Sequence, residues 1–530
     1  YMDFVGRDLF TAPLQTTLRQ FEEADNFGSL IRPDVTDVDG MLRILESKNV
    51  SGQLFISMTH QKVLQALRQA DYLSPKYHVV IANPPYMGNK GMNGRLAVYV
   101  QDNYELAKYD LFASFIDRSF ELIQKKGFAA LVTMQSWMFT HRYHAFRLNL
   151  YEKCSIEAMC HMGNMVMGIA FGTSATVFKT SYDTAKIGGY CYVEMDDIDE
   201  TTNRPNRFKR IAKCSINDFL SIPGAPVVYW ASADVRSLFS NNACIEDFFE
   251  TREGLATADN DRFVRYWSEV SGSTIGSNCK NLDEASESER RWFPYVKGGA
   301  FRKWAGNNEL VVDWENDGDR VQNNIDHNTG RVRSHNYNGD YAFRKGFTWS
   351  GLSSGGFSVR HVPGGFLFDA KGPMGFPKNE CSLGFVEGFL NSKITAFLLE
   401  MLAPTMDFKL GHVLRLPLKK ENSYSEIQKD AERLVHVSKT DWDSYETSWD
   451  FTNLPLLIPD NRQPTLKAIY QKLRAHWRVM TLEMQRLEQE NNRIFIDAYG
   501  LQDELTPEVS LSEITLTCNP HYRYGNDKSE

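Results

Sequence analysis

Four consecutive residues, Asn83-Pro84-Pro85-Tyr86, follow the apolar run Val79-Val80-Ile81-Ala82. They carry the residue types for one kind of chemistry, substitution on a planar amino nitrogen. The lone pair of an amine attached to an aromatic ring or a carbonyl is delocalised, so that nitrogen is a poor nucleophile. Two acceptors facing its two N–H bonds hold it closer to tetrahedral and aim the lone pair at an electrophile. The Asn83 amide oxygen is one such acceptor and the Pro84 carbonyl the other. Paired prolines fix φ and lack N–H groups, so the loop is rigid and the carbonyl faces the substrate. Tyr86 adds a ring on which a flat substrate can stack. A Pro-rich strand-to-loop turn without chemistry is the competing reading of the bare tetrapeptide.

The surrounding pattern supplies the elements that must position these groups. Residues 77–82 read as a buried strand of the parallel type. Between Asp110 and Lys126, apolar residues at Leu111, Phe112, Phe115, Ile116, Phe120 and Ile123 recur close to helical spacing, and Lys125-Lys126-Gly127 is a stop signal. Residues 128–133 read as a second strand. Ser136 caps an expected helix through Asn149, and 156–160 and 174–178 read as further strands. Such alternation builds half of a doubly wound α/β sheet, where ligands sit beyond the carboxyl ends of the strands, and Asn83 lies at such an end. The loop 87–95 that follows carries three glycines with Lys90 and Arg95. Those cations can meet phosphates, although a solvated flexible loop explains them equally well.

The order Asn83-Pro84-Pro85-Tyr86, Lys108-Tyr109-Asp110-Leu111-Phe112, Lys126-Gly127-Phe128, Ser136-Trp137 and Phe171-Gly172-Thr173-Ser174 resembles the successive motifs of the γ-type adenine methyltransferases. Residues 83–96 and 491–501 resemble one family in particular, PglX, the adenine methyltransferase of type 1 BREX phage-defence systems. The resemblance covers the whole chain, as the C-terminal portion of a longer protein. It implies a Rossmann-like methyltransferase sheet with S-adenosylmethionine as cofactor. It also implies double-stranded DNA as substrate, other BREX proteins as partners, and a target adenine extruded onto Tyr86, with Phe171 on its other face, or Met165 or Met167 in that position, since spacing in the motif varies. The chain departs from the γ-type pattern upstream, where residues 1–82 hold no glycine-rich methyl-donor loop. An incomplete cofactor pocket and a missing N-terminal half follow as expectations, and a start at Tyr1 rather than Met agrees with them.

After Tyr182 the pattern changes to short strands, aromatics and basic clusters, first Arg204, Arg207, Lys209, Arg210 and Lys213. The stretch from Arg252 through Thr257 and Asn260 to Arg262 resembles the turn that opens target-recognition domains. Lys297, Arg302 and Lys303 lie in a Gly- and aromatic-rich run, and Arg344 and Lys345 continue the pattern. Such residues neutralise phosphates or read guanine edges, whereas solvated surface charge is the competing reading for any one of them. Residues 383–402 read as one amphipathic helix closing that domain, and 466–493 as a long helix. The expected division is 1–182, the C-terminal part of the catalytic domain; 183–420, an α+β DNA target-recognition domain; and 421–530, a helical region.

Composition adds limits. The 530 residues are 42% hydrophobic and 24% charged, ordinary for globular domains. The net charge of −8 does not advertise a nucleic-acid binder, so local clusters must carry that role. The eight cysteines are scattered without a C-x-x-C pair, and His60, His141, His144 and His161 lack metal-ligand spacing, so no metal is expected. No apolar run is long enough for a membrane span and no signal-peptide pattern is present, which predicts a cytoplasmic protein without membrane association. Two other functions use the same residues. Methylation of RNA or of a glutamine amide poses the same electronic problem, but those enzymes usually lack a long recognition domain. A non-catalytic DNA-specificity module would keep the tetrapeptide only as a relic.

Overall fold

The computed structural model describes residues 12–34, 37–49, 54–180, 183–378, 382–402, 407–419 and 424–525. The chain forms two compact units, residues 1–236 and 237–530. Neither expected boundary, at 182/183 or at 420/421, coincides with the division between these units. The first unit's sheet runs on past residue 182, and residues 421–530 share a unit with the region before them.

The first unit begins with helices α1 (Ala12–Gln20), α2 (Val38–Glu46) and α3 (Leu54–Leu73). Their apolar faces close a small core of Leu14, Phe21, Val38, Leu42, Leu45, Val63 and Leu67. The sheet follows: β1 (Tyr77–Ala82), β2 (Ile123–Met134), β3 (Cys154–Met162), β4 (Thr173–Thr180), β5 (Gly188–Val193) and β6 (Lys209–Cys214), in the order β1-β2-β4-β3-β5-β6. β1 and β2 are parallel, and β4 runs antiparallel between β2 and β3. β1, β2, β3 and β5 therefore share one direction, as in a doubly wound fold, with β4 inverted among them. One consequence positions the site. The carboxyl ends of β1, β2 and β3 and the amino end of β4 lie along a single sheet edge, with Ala82 opposite Leu131 and Thr173 opposite both Met134 and Met162.

Helix α4 (Gly94–Asn103) starts where the Asn93 side chain accepts from the Leu96 amide, and α5 (Leu111–Leu122) starts at Asp110. α5 packs on β2, and Arg118 within it donates to the Ser29, Ile31 and Leu73 carbonyls, tying the upstream helices to the sheet. Where the sequence predicts one helix from Ser136 to Asn149, there are two, α6 (Ser136–Phe139) and α7 (His144–Lys153). The break at Thr140 frees the Trp137 and Thr140 carbonyls, which the buried Arg147 guanidinium reaches at 2.8 and 3.0 Å while it also donates to Gly224 O at 2.6 Å. β1 is an edge strand. Val79 and Ile81 on one of its faces are 51% and 79% exposed.

The second unit carries two four-stranded sheets. One joins β8 (Val264–Tyr266), β10 (Leu310–Asp313), β9 (Trp292–Val296) and β13 (Leu367–Phe368). The other joins β12 (Val359–Val362), β11 (Gly346–Trp349), β14 (Met374–Pro377) and β7 (Phe249–Arg252). The single helix expected over 383–402 is split into α8 (Leu383–Leu390) and α9 (Lys393–Leu402). Asn391 at the break gives its side chain to the sheet instead, pairing with the Val359 amide at 2.9 Å and carbonyl at 3.1 Å. Two long helices follow, α10 (Tyr424–Asp443) and α11 (Leu466–Tyr499). α11 is capped by Thr465 and stopped by Gly500 in the left-handed region at φ 70°.

Candidate active site

Asn83 follows β1 directly, so the parallel pairing of β1 with β2 places its side chain beyond the sheet edge. The Tyr86 hydroxyl donates to Asn83 Oδ1 and to the Val132 carbonyl, both at 3.2 Å. These are long bonds, and an amide oxygen has two lone pairs, so the Asn83 oxygen keeps acceptor capacity for a substrate amine. Pro84 is buried while Asn83 and Pro85 are exposed. The loop beyond is clamped by the turn before α5. The Met87 amide donates to Asp110 Oδ1 at 3.0 Å, the Leu111 amide to Met87 O at 3.1 Å, and the Asn89 amide to Tyr109 O at 3.2 Å. Burial pushes the Asp110 carboxyl up from its ordinary range, against the backbone amides that favour its charged form. An aspartate directly before an apolar helical repeat is a cap signal, and here the cap also holds the loop.

Tyr86 sits among aromatic rings. Phe112 lies edge-on with centroids 6.5 Å apart and Phe171 edge-on at 6.0 Å and 67°. The structure thus brings Phe171 against Tyr86, as the motif order implies. Edge contact leaves no slot between the two rings, so a base stacked on Tyr86 requires Phe171 to turn aside.

A second arrangement was not foreseen, since His161 reads from the sequence as structural or surface. His161 is buried on β3, 2.6 Å from Gln135 Oε1 through Nε2 and 3.2 Å from the Tyr229 hydroxyl through Nδ1. Gln135 sits just past β2, its amide donating to Gly172 O at 3.0 Å. Burial, with Arg210 nearby, pushes the imidazole down to about 4. Neutral His161 then donates from Nε2 to the Gln135 oxygen. The sign of the pH effect follows, because a histidine whose folded pKa is depressed leaves stability intact above the unfolded value near 6.5. That stability is lost as pH falls toward 4. Stability measured by denaturant titration is expected to drop by on the order of 3 kcal/mol from this group between pH 6.5 and 4. In His161→Phe that window should be flat apart from the carboxylates. An unchanged slope in the variant would assign the titration elsewhere.

In the second unit, the structure collects the cations singled out in the sequence into two groups. Arg252 and Arg344 both lie over the Tyr341 ring, each 4.6 Å from its centroid, and Arg252 also pairs with Glu250. Thr257 donates to Asn260 Oδ1 at 2.7 Å, and Lys297 reaches that same oxygen and Asp369 at 3.5 Å. Arg262 and Lys345 are exposed. Arg302 and Lys303 differ from the expectation of DNA contact. They are only 3% and 9% exposed, and they are paired with Asp441 at 3.3 Å and Glu488 at 2.8 Å. With Trp304, which donates to Glu488 at 2.8 Å, they bind the strand region to α10 and α11. A run of cations among glycines and aromatics reads the same in a buried ion-pair layer as on a surface, so only packing separates the two. In the first unit, Lys90 is exposed and Arg95 is paired with Glu23.

Residues 32–166 match the family model described as Eco57I restriction-modification methylase. The chain is 35% identical, over 96% of its own length and 44% of the relative's, to an adenine-specific methyltransferase PglX of Lacticaseibacillus casei (strain Zhang). It is 33% identical, over 97% of its length and 42% of the relative's, to an adenine-specific methyltransferase BrxX of Escherichia coli O9:H4 (strain HS). The chain therefore spans less than half the length of these curated relatives. Among solved structures, the Type IIL restriction-modification enzyme MmeI in complex with DNA aligns with a TM-score of 0.48 and 13% identity, over 88% of this chain and 59% of that one.

Proposed function

From a chain that is a relative, over nearly all its length, of the adenine-specific methyltransferases PglX and BrxX, we propose the substrate-holding part of a site-specific DNA adenine N6-methyltransferase serving BREX phage defence in the cytoplasm. The observation that carries this reading is the acceptor pair at the carboxyl end of β1, with an aromatic ring beside it and a clamp behind it. Asn83 Oδ1 and the Pro84 carbonyl accept from the exocyclic amine of a base extruded from the duplex. Both N–H bonds are then engaged, and the nitrogen lone pair is turned away from the ring. Tyr86 supports the base from one face, with Phe171 displaced to the other. Asp110 keeps the loop from drifting while the amine is held.

S-adenosylmethionine, when bound to such an enzyme, supplies an electrophilic methyl group on sulfur. The residues described here fit the amine side of that reaction and not the donor side. Upstream of β1 the described residues form helices only, with no strand–glycine turn–helix unit. The exposed edge and apolar face of β1 are the natural seat for a donor-binding half.

DNA is favoured over RNA or a protein amide because a second unit of nearly 300 residues follows the catalytic one. Arg252, Arg344, Thr257, Asn260, Lys297, Arg262 and Lys345 are its candidate DNA contacts, with Lys90 and Arg95 on the catalytic unit. The reading is tested by mapping methylated adenines at base resolution in host DNA with and without the complete gene. Loss of one non-palindromic methylated sequence on deletion is expected, and an unchanged methylome would overturn it. Affinity of residues 1–530 for a duplex bearing that sequence is expected to fall steeply with salt, log K dropping with log salt at about 0.9 per phosphate contact. A salt-independent affinity would remove the phosphate role of these cations.

A further inference from the structure

The loop that joins β3 to β4, residues 163–172, is held at both ends and open at its tip. At one end the Gly163 amide donates to Val193 O at 2.8 Å, and a Cβ on Gly163 would lie 2.7 Å from the Tyr192 hydroxyl. At the other end Gly172 O accepts from Gln135, and a Cβ on Gly172 would come within 2.4 Å of Gln135 Oε1, the oxygen that His161 fixes. Two further bonds shape the tip: Met165 N to Ile169 O and Gly168 N to Met165 O, both 2.8 Å. Met165 takes the left-handed region at φ 68°, a conformation that costs energy for a side chain of its size. The product of this construction is two large apolar side chains facing water, Met165 at 52% exposure and Met167 at 46%. They lie on the same sheet edge as Asn83, and the loop continues directly into Phe171, which touches Tyr86.

Exposed apolar residues on a braced turn beside an amine-holding site have a physical use if the substrate is a base taken out of a duplex. Extrusion leaves a gap in the stack, and the duplex recloses unless something apolar fills it. Methionine is among the side chains that wedge between base steps, and its unbranched chain adapts to an irregular gap. We propose that Met165 and Met167 form a wedge that enters the base stack next to the target and holds the vacated space open. This rests on the reading of the chain as a DNA adenine methyltransferase. It goes beyond it by assigning the extrusion step to a loop tip that touches neither the amine nor the methyl donor.

The test uses the complete protein and a duplex bearing the methylated sequence mapped in host DNA, which first establishes the underlying reading. The double variant Met165→Ser/Met167→Ser changes only exposed side chains. With a normally paired target, its methylation rate is expected to fall at least about tenfold, and fluorescence of 2-aminopurine at the target position should no longer rise on binding. Equilibrium affinity for the duplex should stay within about twofold. With the target adenine opposite an abasic site, where no base pair must be broken and extrusion costs less, the variant should recover to within about threefold of the unaltered protein. Equal loss on both duplexes would show a role in chemistry or folding and overturn the proposal. Unchanged methylation of the paired duplex would overturn it too. Failure of the unaltered protein to methylate either duplex would instead sink the underlying reading, so the two failures are distinct.

Discussion

Asn83→Ala in the complete enzyme is expected to stop methylation while leaving DNA affinity near normal. The side-chain oxygen is one of two acceptors that the amine meets, and it strengthens its hold as the nitrogen becomes tetrahedral. Loss of one such oriented group costs roughly 3–4 kcal/mol in the transition state, a factor of several hundred in rate. The side chain is exposed and its partner in the fold is the Tyr86 hydroxyl at 3.2 Å, so the fold should survive its removal. Single-turnover methylation of the mapped duplex reads the effect. A rate above a few per cent of the unaltered enzyme's would show that Pro84 O and Tyr86 suffice, and the role given to Asn83 would fall.

Residues 1–530 alone are expected to bind S-adenosylmethionine poorly or not at all, yet still to bind DNA. In doubly wound folds the cofactor rests against the first strand–turn–helix, where glycines let backbone amides approach and an acid further on takes the ribose. The sequence before β1 has only isolated glycines, at 6, 28, 40 and 52, with no glycine-rich run, and the elements among the described residues there are helices. Calorimetry with the cofactor on this chain decides the matter. Micromolar binding would show that the donor pocket is complete and lies elsewhere on the chain. The clusters around Tyr341 and Asn260 are intact within the second unit, so DNA affinity has no reason to be lost with the cofactor.

The candidate site is legible in the sequence because its parts are local. An apolar run ending in Asn-Pro-Pro-Tyr fixes a strand, a rigid turn and two acceptors within ten residues, and no distant contact can change that chemistry. The strands at 128–133, 156–160 and 174–178 were legible as short, locally apolar or β-branched stretches set between helical segments. Phe171 near Tyr86 was legible only through the order of motifs.

What the tertiary structure alone decided lies in contacts between residues far apart in the chain. The inversion of β4 sets which strand ends meet at the site, and hydrophobicity reads the same in either direction along a strand. The break at Thr140 comes with Arg147, whose guanidinium bridges the Thr140 carbonyl to the distant Gly224 carbonyl, and the break at Asn391 comes with the Val359 backbone, so each break has a partner outside the helical window that predicted an unbroken helix. Arg302 and Lys303 carry the composition of a DNA face, yet Asp441 and Glu488, more than 130 residues away, draw them into the core. Charge is a property of the residue, whereas whether that charge meets water, a phosphate or a buried carboxylate is settled by the fold. The same holds for His161, an ordinary histidine in sequence. Burial beside Gln135 and Tyr229 makes it the neutral brace of the loop that presents Met165 and Met167.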